Sequence, residues 1–265
     1  MKRKIAMIAS DLDGTLLLDG AQALTQEVFS LIRRLQGHDI IFYAASGRQY
    51  ASLRRLFAPV ADEIGYICEN GCLSFFKGRK ISQACMQADL GREIIRAMQR
   101  TGGLEVMVSG TETCYIQPTS SNFAALLHDV VGNNVTLVPS LLDIPEPYMK
   151  ISFYEKGGLS DTSPWKKRFG DRCTVQTGGN EWLDIMPKGV NKWTAIKENL
   201  ICLGISADEV IAFGDNENDR QMLCHVGCPI TMEKARADIR ILGRYHTDSV
   251  EKSLHRILDG IGYEW

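Results

Sequence analysis

The chain has 265 residues, of which 45% are hydrophobic, with a formal net charge of −2 and a pI of about 6.2. This length and content can form the core of one large domain or of two modest ones. The charge balance gives no electrostatic support for nucleic-acid binding, and no apolar run approaches the ~20 residues of a membrane span. The apolar run 5–9 is too short for a signal peptide, so we expect a cytoplasmic protein without a membrane partner.

Eight cysteines raise the question of disulfide bonds. An even number fits a disulfide framework, but the chain is long and contains no Cys-x-x-Cys. No histidine stands at zinc-like spacing from the closest cysteine pairs. We therefore expect reduced and mostly buried thiols at Cys68, Cys72, Cys85, Cys114, Cys173, Cys202, Cys224 and Cys228.

The N-terminal third alternates predicted strands and helices. Short apolar runs indicate buried strands, and apolar residues at helical spacing indicate amphipathic helices. The predicted elements are strand 4–9, helix 25–36, strand 39–44, helix 49–57, strand 64–68 and a hairpin around Gly78. This alternation favours a parallel α/β sheet.

The middle of the chain has a different pattern from its two ends. It predicts helix 90–100, strands 104–108 and 113–117, helix 122–131, and strands 149–154, 174–176 and 182–185. The last third returns to the α/β alternation with helix 191–203, strand 210–213 and helix 218–225. We therefore predict an α+β module inserted into an α/β core.

Two aspartates follow the first predicted strand, in the segment Asp11-Leu12-Asp13-Gly14-Thr15-Leu16. Ligands bind at the carboxyl edge of an open parallel sheet, and carboxylates two residues apart on an extended chain point the same way. Such a pair repels unless a cation or a shared proton relieves it. Because the donors are oxygens, Mg²⁺ is the natural candidate for the cation.

Three further polar segments follow strands or open helices. If the strands before Asp11 and Asp215 are parallel neighbours, these two carboxylates lie side by side. Ser46 and Gly47 offer a hydroxyl and a backbone N–H at the predicted start of a helix, which suits an anion. Lys192 adds a positive charge. The set is typical of phosphoryl transfer, in which positive charge lets a carboxylate attack phosphorus.

These four segments resemble, in order, the four sequence motifs of haloacid dehalogenase (HAD) superfamily phosphatases. The nearest branch is the Cof-type, or subfamily IIB, whose turn after the third strand matches Glu69-Asn70-Gly71 and whose lysine motif matches 189–192. The resemblance covers nearly the whole chain. It implies a Rossmann-like α/β core formed by residues 1–82 and 187–265, with an α/β cap inserted at 83–186.

The resemblance implies roles for four aspartates. Asp11 would be the nucleophile and a metal ligand. Asp13 would be the general acid and base, and would bind the metal through its backbone carbonyl. Asp215 would complete the metal ligands, and Asp219 would lie behind them. The implied cofactor is Mg²⁺.

The resemblance also implies a phosphate-binding set. Ser46 and the amide of Gly47 would hold the phosphate, with Leu12 and Asn218 as further substrate-binding residues. Lys192 would pair with the nucleophile and the phosphate. The implied function is Mg²⁺-dependent hydrolysis of a small phosphorylated metabolite, with sugar phosphates first, through a phospho-aspartate at Asp11.

Departures from the family pattern leave some alternatives open. Trp193 stands where the family usually has Gly, and it could pack against the cap or narrow the entrance. Lys188 is a rival for the role of Lys192. A phosphomutase of the same fold would use the same aspartates, and a non-catalytic binding protein on this scaffold is a further alternative. More acidic than basic residues in 84–184 favour a small substrate over a polyanionic one.

Overall fold

The computed structural model describes residues 4–118, 120, 122–178 and 180–260, whose strands form two sheets. In chain order the strands are β1 (Met7–Ser10), β2 (Ile41–Ala45), β3 (Gly65–Cys68), β4 (Leu73–Phe76), β5 (Arg79–Gln83), β6 (Glu105–Ser109), β7 (Cys114–Ile116), β8 (Val135–Leu137), β9 (Lys150–Tyr154), β10 (Cys173–Thr177), β11 (Trp182–Pro187), β12 (Val210–Gly214), β13 (Cys228–Met232) and β14 (Tyr245–Thr247). The α-helices are α1 (Gln26–Gln36), α2 (Tyr50–Leu56), α3 (Ala88–Thr101), α4 (Phe123–Ala125), α5 (Ser163–Phe169), α6 (Lys192–Leu203), α7 (Arg220–His225), α8 (Ala237–Arg240) and α9 (Val250–Leu258).

The larger sheet has eight strands in the order β14-β13-β12-β1-β2-β3-β4-β5. The first six are parallel, and β4 and β5 add an antiparallel hairpin at one edge. Met7 of β1 pairs with Ile41 on one side and with Val210 on the other. The strand order reverses at β1, which is where ligands bind in open α/β sheets.

Both faces of β1 are buried, because successive side chains of a strand point to opposite faces. Ile8 packs in a cluster with Val28 and Leu31 of α1. Met7 packs in a second cluster with Ile196 of α6. Helices therefore cover the parallel sheet on both sides, and its central strands are continuous apolar runs. The predicted α/β fold with a parallel sheet is confirmed.

The smaller sheet has six strands in the order β10-β11-β9-β6-β7-β8, all antiparallel except for the pair β7 and β8. One face packs against α3, where Val106 and Phe153 contact the cluster that contains Ile94. On the opposite face, Met107 and Trp182 line a cleft beside the carboxyl edge of the larger sheet. The smaller sheet thus forms a wall over the strand ends of the larger one.

Some elements differ from the sequence predictions. The predicted helix 122–131 is a single α-helical turn, α4, followed by π-helical turns at Leu126–Val130. The predicted helix 218–225 begins as a 3₁₀ turn at Glu217–Asp219 before α7. The strands β8, β13 and β14 were not predicted from the sequence.

The strands of the larger sheet come from 7–83 and 210–247, and those of the smaller sheet from 105–187. The division into a core of 1–82 and 187–265 and a cap of 83–186 remains a prediction. Among the described residues, no helix combines the length and the apolar character needed to cross a membrane.

Candidate active site

The polar segments predicted from the sequence meet at the carboxyl edge of the larger sheet. Asp11 follows β1, and its backbone N–H donates to the carbonyl of Phe213 at 3.0 Å. Asp215 follows β12, the parallel neighbour of β1. Ser46 follows β2 on the other side. The strand register therefore brings together residues that are up to about 200 positions apart in the chain.

Lys192, the first residue of α6, is fully buried beneath this edge. Its Nζ donates to Asp11 Oδ1 at 2.5 Å and to Asp219 Oδ1 at 2.7 Å. Burial alone would lower the pKa of Lys192, but the two carboxylates outweigh it, so the pKa lies above its ordinary value. The rival Lys188 is exposed and donates to the carbonyl of Gly170 instead.

Asp11, Asp215 and Asp219 form an acidic cluster in which one carboxyl oxygen of each lies within 4.8 Å of the others. Burial raises the pKa of Asp11, Asp219 and Asp215 raise it further, and Lys192 opposes them. Burial raises the pKa of Asp215, and the negative charge of Asp219 raises it further. Because a divalent cation would relieve this crowding of oxygen donors, the residues present fit a hard metal ion.

Within this cluster, Asp219 already has partners on both oxygens. Its Oδ1 accepts from Lys192, and its Oδ2 accepts from the backbone N–H groups of Asp215 at 3.0 Å and Asn216 at 3.1 Å. Asp219 therefore orients the lysine and the loop that carries Asp215. This arrangement leaves Asp11 and Asp215 as the side chains best placed to contact a metal, and their role as metal ligands remains a prediction.

Asp13 is not part of the acidic cluster, although its carboxylate was predicted to point the same way as that of Asp11. Its side chain is 58% exposed and binds Arg48 through two hydrogen bonds of 2.5 and 3.0 Å. The reason is that β1 ends at Ser10 and the chain turns at once, so the two-residue alternation of a strand does not continue. No role was predicted for Arg48, although it directly follows Ser46 and Gly47.

Leu12 has its side chain in the apolar core, fully buried. Its carbonyl accepts from the N–H groups of Thr15 and Leu17, which closes the turn after β1. Gly14 lies in this turn with φ of 88°, and a Cβ there would lie 2.5 Å from Asp215 Oδ2. Any contact between Leu12 and a substrate must therefore use its backbone.

Ser46 and Gly47 lie in a loop before α2, rather than at the start of that helix as predicted. Ser46 is buried and its Oγ accepts from the backbone N–H of Arg48 at 3.2 Å. Asn70 lies against this loop, since a Cβ on Gly47 would be 3.0 Å from Asn70 Nδ2. Asn218 joins the group by donating to Asn70 Oδ1 at 3.2 Å. Of the residues predicted to bind phosphate, Ser46, Gly47 and Asn218 thus lie around Asn70.

A cleft of about 340 Å³ opens above these residues. The larger sheet and its loops contribute polar groups below the cleft, namely Asp11, Asp13, Ser46, Gly47, Arg48, Asn70 and Asn218. The smaller sheet and the segment between its strands β7 and β8 contribute an apolar wall above the cleft, formed by Met107, Leu127, Val130, Val131 and Trp182. Trp193 is not part of this lining and stacks on His225 at 5.0 Å. The prediction that Trp193 narrows the entrance or packs against the cap is therefore wrong, because its ring packs between α6 and α7.

The cleft also contains three buried charged residues, Glu69, Lys150 and Asp184. Lys150 Nζ lies 2.7 Å from Glu69 Oε2 and 3.5 Å from Asp184 Oδ2. This group was not predicted from the sequence. The available signal was one charged residue in each of two mostly apolar strands, Lys150 in β9 and Asp184 in β11, but their contact with the loop after β3 depends on the tertiary fold.

Comparisons with known proteins agree with this fold. The family model described as haloacid dehalogenase-like hydrolase matches residues 8–254. The 5-amino-6-(5-phospho-D-ribitylamino)uracil phosphatase YbjI of Escherichia coli K12 is 24% identical over 92% of this chain and 91% of its own. The pyridoxal phosphate phosphatase YbhA of the same strain is 28% identical over 94% of this chain and 97% of its own.

The fold also matches a solved structure, that of the HAD subclass IIB sugar phosphatase BT4131. Its TM-score is 0.81 at 19% identity, over 95% of this chain and 98% of that one. The predicted resemblance is thereby confirmed in sequence and in fold. The chain belongs to the haloacid dehalogenase-like hydrolase family, and the prediction of a phosphatase of this type is confirmed at the level of the family.

Proposed function

We propose that the protein hydrolyses small phosphorylated metabolites through a phospho-aspartate at Asp11, with Mg²⁺ as cofactor. The observation that carries this proposal is the position of Asp11, which borders the cleft and contacts Lys192 within the acidic cluster. A carboxylate so placed can attack phosphorus, because nearby positive charge offsets the repulsion between two anions. We also propose that the enzyme is cytoplasmic.

In the first step, an oxygen of Asp11 forms a bond to phosphorus, and the bond from phosphorus to the leaving oxygen breaks. Asp13 gives its proton to that oxygen, so the product leaves as an alcohol. Asp13 borders the cleft and is exposed, which allows it to reach a bound ester. Because burial raises the pKa of Asp11, its anionic form depends on the charge of Lys192 beside it.

In the second step, Asp13 accepts a proton from water, and the water oxygen forms a bond to phosphorus as the bond to Asp11 breaks. The products are inorganic phosphate and free Asp11. Asp11, Asp215 and the carbonyl of Asp13 would hold Mg²⁺, which when bound would offset negative charge on the phosphoryl oxygens. Ser46, Gly47, Asn218 and the Leu12 backbone orient the phosphate.

The substrate is a monoester whose leaving group fits between a polar floor and an apolar wall. Trp182, Leu127 and Val131 can bury one face of a ring, while Arg48 lies on the polar side of the cleft, where its guanidinium binds Asp13. A sugar ring has such an apolar face, and so do the heterocyclic phosphates after which YbjI and YbhA are named. A substrate panel should therefore contain sugar phosphates and pyridoxal phosphate side by side.

The test is phosphate release from p-nitrophenyl phosphate with Mg²⁺, with EDTA, and with the variant Asp11→Asn. We expect metal-dependent release that the variant loses. Asp19→Asn is a matched control, because Asp19 is exposed and binds only Lys234 among the contacts of the described residues. Undiminished release by Asp11→Asn would contradict the mechanism. Transfer of the phosphoryl group to a second sugar without free phosphate would indicate the phosphomutase instead.

A further inference from the structure

Lys150 links the smaller sheet to the loops that border the catalytic edge. It is the first residue of β9, and its side chain is 5% exposed. Besides its ion pairs with Glu69 and Asp184, its Nζ donates to the carbonyl of Gly47 at 2.9 Å. One buried ammonium group therefore contacts three oxygens, two of which belong to loops of the larger sheet.

These two loops are also joined to each other. The backbone N–H of Glu69 donates to the carbonyl of Arg48 at 3.1 Å, and that of Asn70 donates to the carbonyl of Ser46 at 3.0 Å. Glu69 and Asn70 have φ values of 50° and 55°, which residues other than glycine rarely adopt. Such a backbone conformation persists only where its surroundings hold it. The Glu69–Asn70 turn therefore depends on outside contacts.

The smaller sheet supplies those contacts. Asn70 Nδ2 donates to Asp184 Oδ2 at 2.8 Å, and Asp184 Oδ1 accepts from Ser152 Oγ at 2.6 Å. Asp184 and Ser152 are paired residues of β11 and β9. Lys150, which also belongs to the smaller sheet, forms an ion pair with Glu69 of the turn. The conformation of the 46–48 loop is thus fixed through the turn by side chains of the smaller sheet.

The charges in this group have a direct consequence for an anionic ligand. Burial would lower the pKa of Lys150, but Asp184 and Glu69 raise it above the ordinary value, so the side chain is a cation. Without Lys150, the buried carboxylates of Glu69 and Asp184 would lose their shared cation in the wall of the cleft. Unpaired buried charge is strongly destabilising, and negative charge here opposes the approach of a phosphate.

We propose that Lys150 is a positioning residue. It makes the phosphate-binding conformation of the 46–48 loop depend on contact between the smaller sheet and the loops of the larger sheet. Through Gly47 and Glu69 it holds the loop and neutralises the wall when the sheet is in place. Phosphate then binds tightly only when the smaller sheet contacts these loops, so the phosphate site is complete only when the smaller sheet lies over it. This inference rests on the proposed function, since it concerns the same phosphate site.

The experiment measures the affinity for inorganic phosphate by calorimetry with Mg²⁺ present, together with KM and kcat for p-nitrophenyl phosphate and the melting temperature. The variants are Lys150→Met, Lys150→Met with Glu69→Gln, and the control Lys167→Met on the exposed face of α5. We expect Lys150→Met to weaken phosphate binding by about tenfold, in the range of typical coupling energies, and to raise KM more than it lowers kcat.

The double variant separates positioning from stability. Because it removes the unpaired charge of Glu69, we expect its melting temperature to recover toward that of the wild type while phosphate binding stays weak. Phosphate affinity within twofold of the wild type in either variant would overturn the coupling. If the wild type hydrolyses p-nitrophenyl phosphate normally, that result overturns this inference alone. A wild type that does not hydrolyse any ester of the panel would overturn the proposed function instead.

Discussion

Lys192 donates a hydrogen bond of 2.5 Å to Asp11 across 181 positions of the sequence, and both side chains are buried. This pair joins the N-terminal end of α6 to the end of β1. It holds Asp11, the proposed nucleophile, in one orientation, and the charge of Lys192 favours the anionic form of that carboxyl group. Stability and the proposed catalysis therefore depend on the same contact.

Replacing Lys192 by Met should lower both stability and activity. It leaves Asp11 and Asp219 without their shared cation, and breaking a buried ion pair costs about 3–5 kcal/mol. We expect a loss of this size in the free energy of unfolding, measured with denaturant, and no detectable phosphate release. Lys188→Met is the matched control, since Lys188 is exposed and binds Gly170. Equal effects of the two variants would contradict the assignment of Lys192.

Gly14 should be necessary for metal binding because the absence of a side chain there leaves room for the carboxylate of Asp215. A Cβ at Gly14 would lie 2.5 Å from Asp215 Oδ2 and would displace that carboxylate. We expect Gly14→Ala to raise the Mg²⁺ concentration needed for half-maximal activity by about tenfold or more, as perturbed metal ligands do. The measurement is a Mg²⁺ titration of phosphate release.

Gly20→Ala is the control for backbone strain at Gly14. Both glycines have positive φ, 88° and 77°, but among the described residues nothing lies within 4 Å of a Cβ on Gly20. Each substitution should cost about 1–2 kcal/mol of stability from the left-handed backbone alone. Only Gly14→Ala should change the Mg²⁺ requirement. The same change in both variants would show that strain, not contact with Asp215, is responsible.

The cysteines should divide into two groups by reactivity. All eight are free; Cys85, Cys202 and Cys224 are exposed, and the other five are buried. Burial raises the pKa of the Cys68 and Cys72 thiols, so they stay protonated at about pH 8, where an ordinary thiol begins to ionise. We expect a thiol reagent to label three residues in the folded protein and all eight after unfolding.

The same pKa shifts set the direction of the pH dependence of stability. Above the ordinary thiol pKa the unfolded chain loses thiol protons that the folded chain keeps. Fewer protons are then bound in the unfolded state, so stability falls as the pH rises. The melting temperature should therefore decrease from about pH 8 to about pH 10, the range in which an ordinary thiol ionises. Rapid labelling of Cys68 in the folded protein would contradict its burial.

The sequence was most informative about features that depend only on local residue patterns and on the order of strands and helices along the chain. Asp11, Ser46 and Asp215 each follow an apolar run, and the rule that parallel strands present ligands at one edge brings them together. The predicted neighbours, β1 and β12, are indeed paired. Lys192 could be assigned because its motif precedes a helix whose N-terminus faces the same edge.

Local pattern could not predict contacts that depend on how the turns and sheets meet. Asp13 binds Arg48 because β1 ends at Ser10 and the chain then turns, so the alternation of side chains in a strand does not extend to Asp13. Lys150 contacts Glu69 only because the smaller sheet lies over the loop after β3. Trp193 stacks on His225 because α6 and α7 pack together, although its place in the motif suggested the entrance.

The most direct test of the account is to trap the covalent intermediate. The enzyme is mixed with substrate and Mg²⁺, quenched in acid, and reduced with borohydride, which converts a phospho-aspartate to homoserine. Mass spectrometry of the peptide that contains Asp11 and Asp13 then locates the change. The account predicts homoserine at position 11 alone, absent without substrate. Turnover with no modified aspartate, or with modification at Asp13, would contradict the central claim.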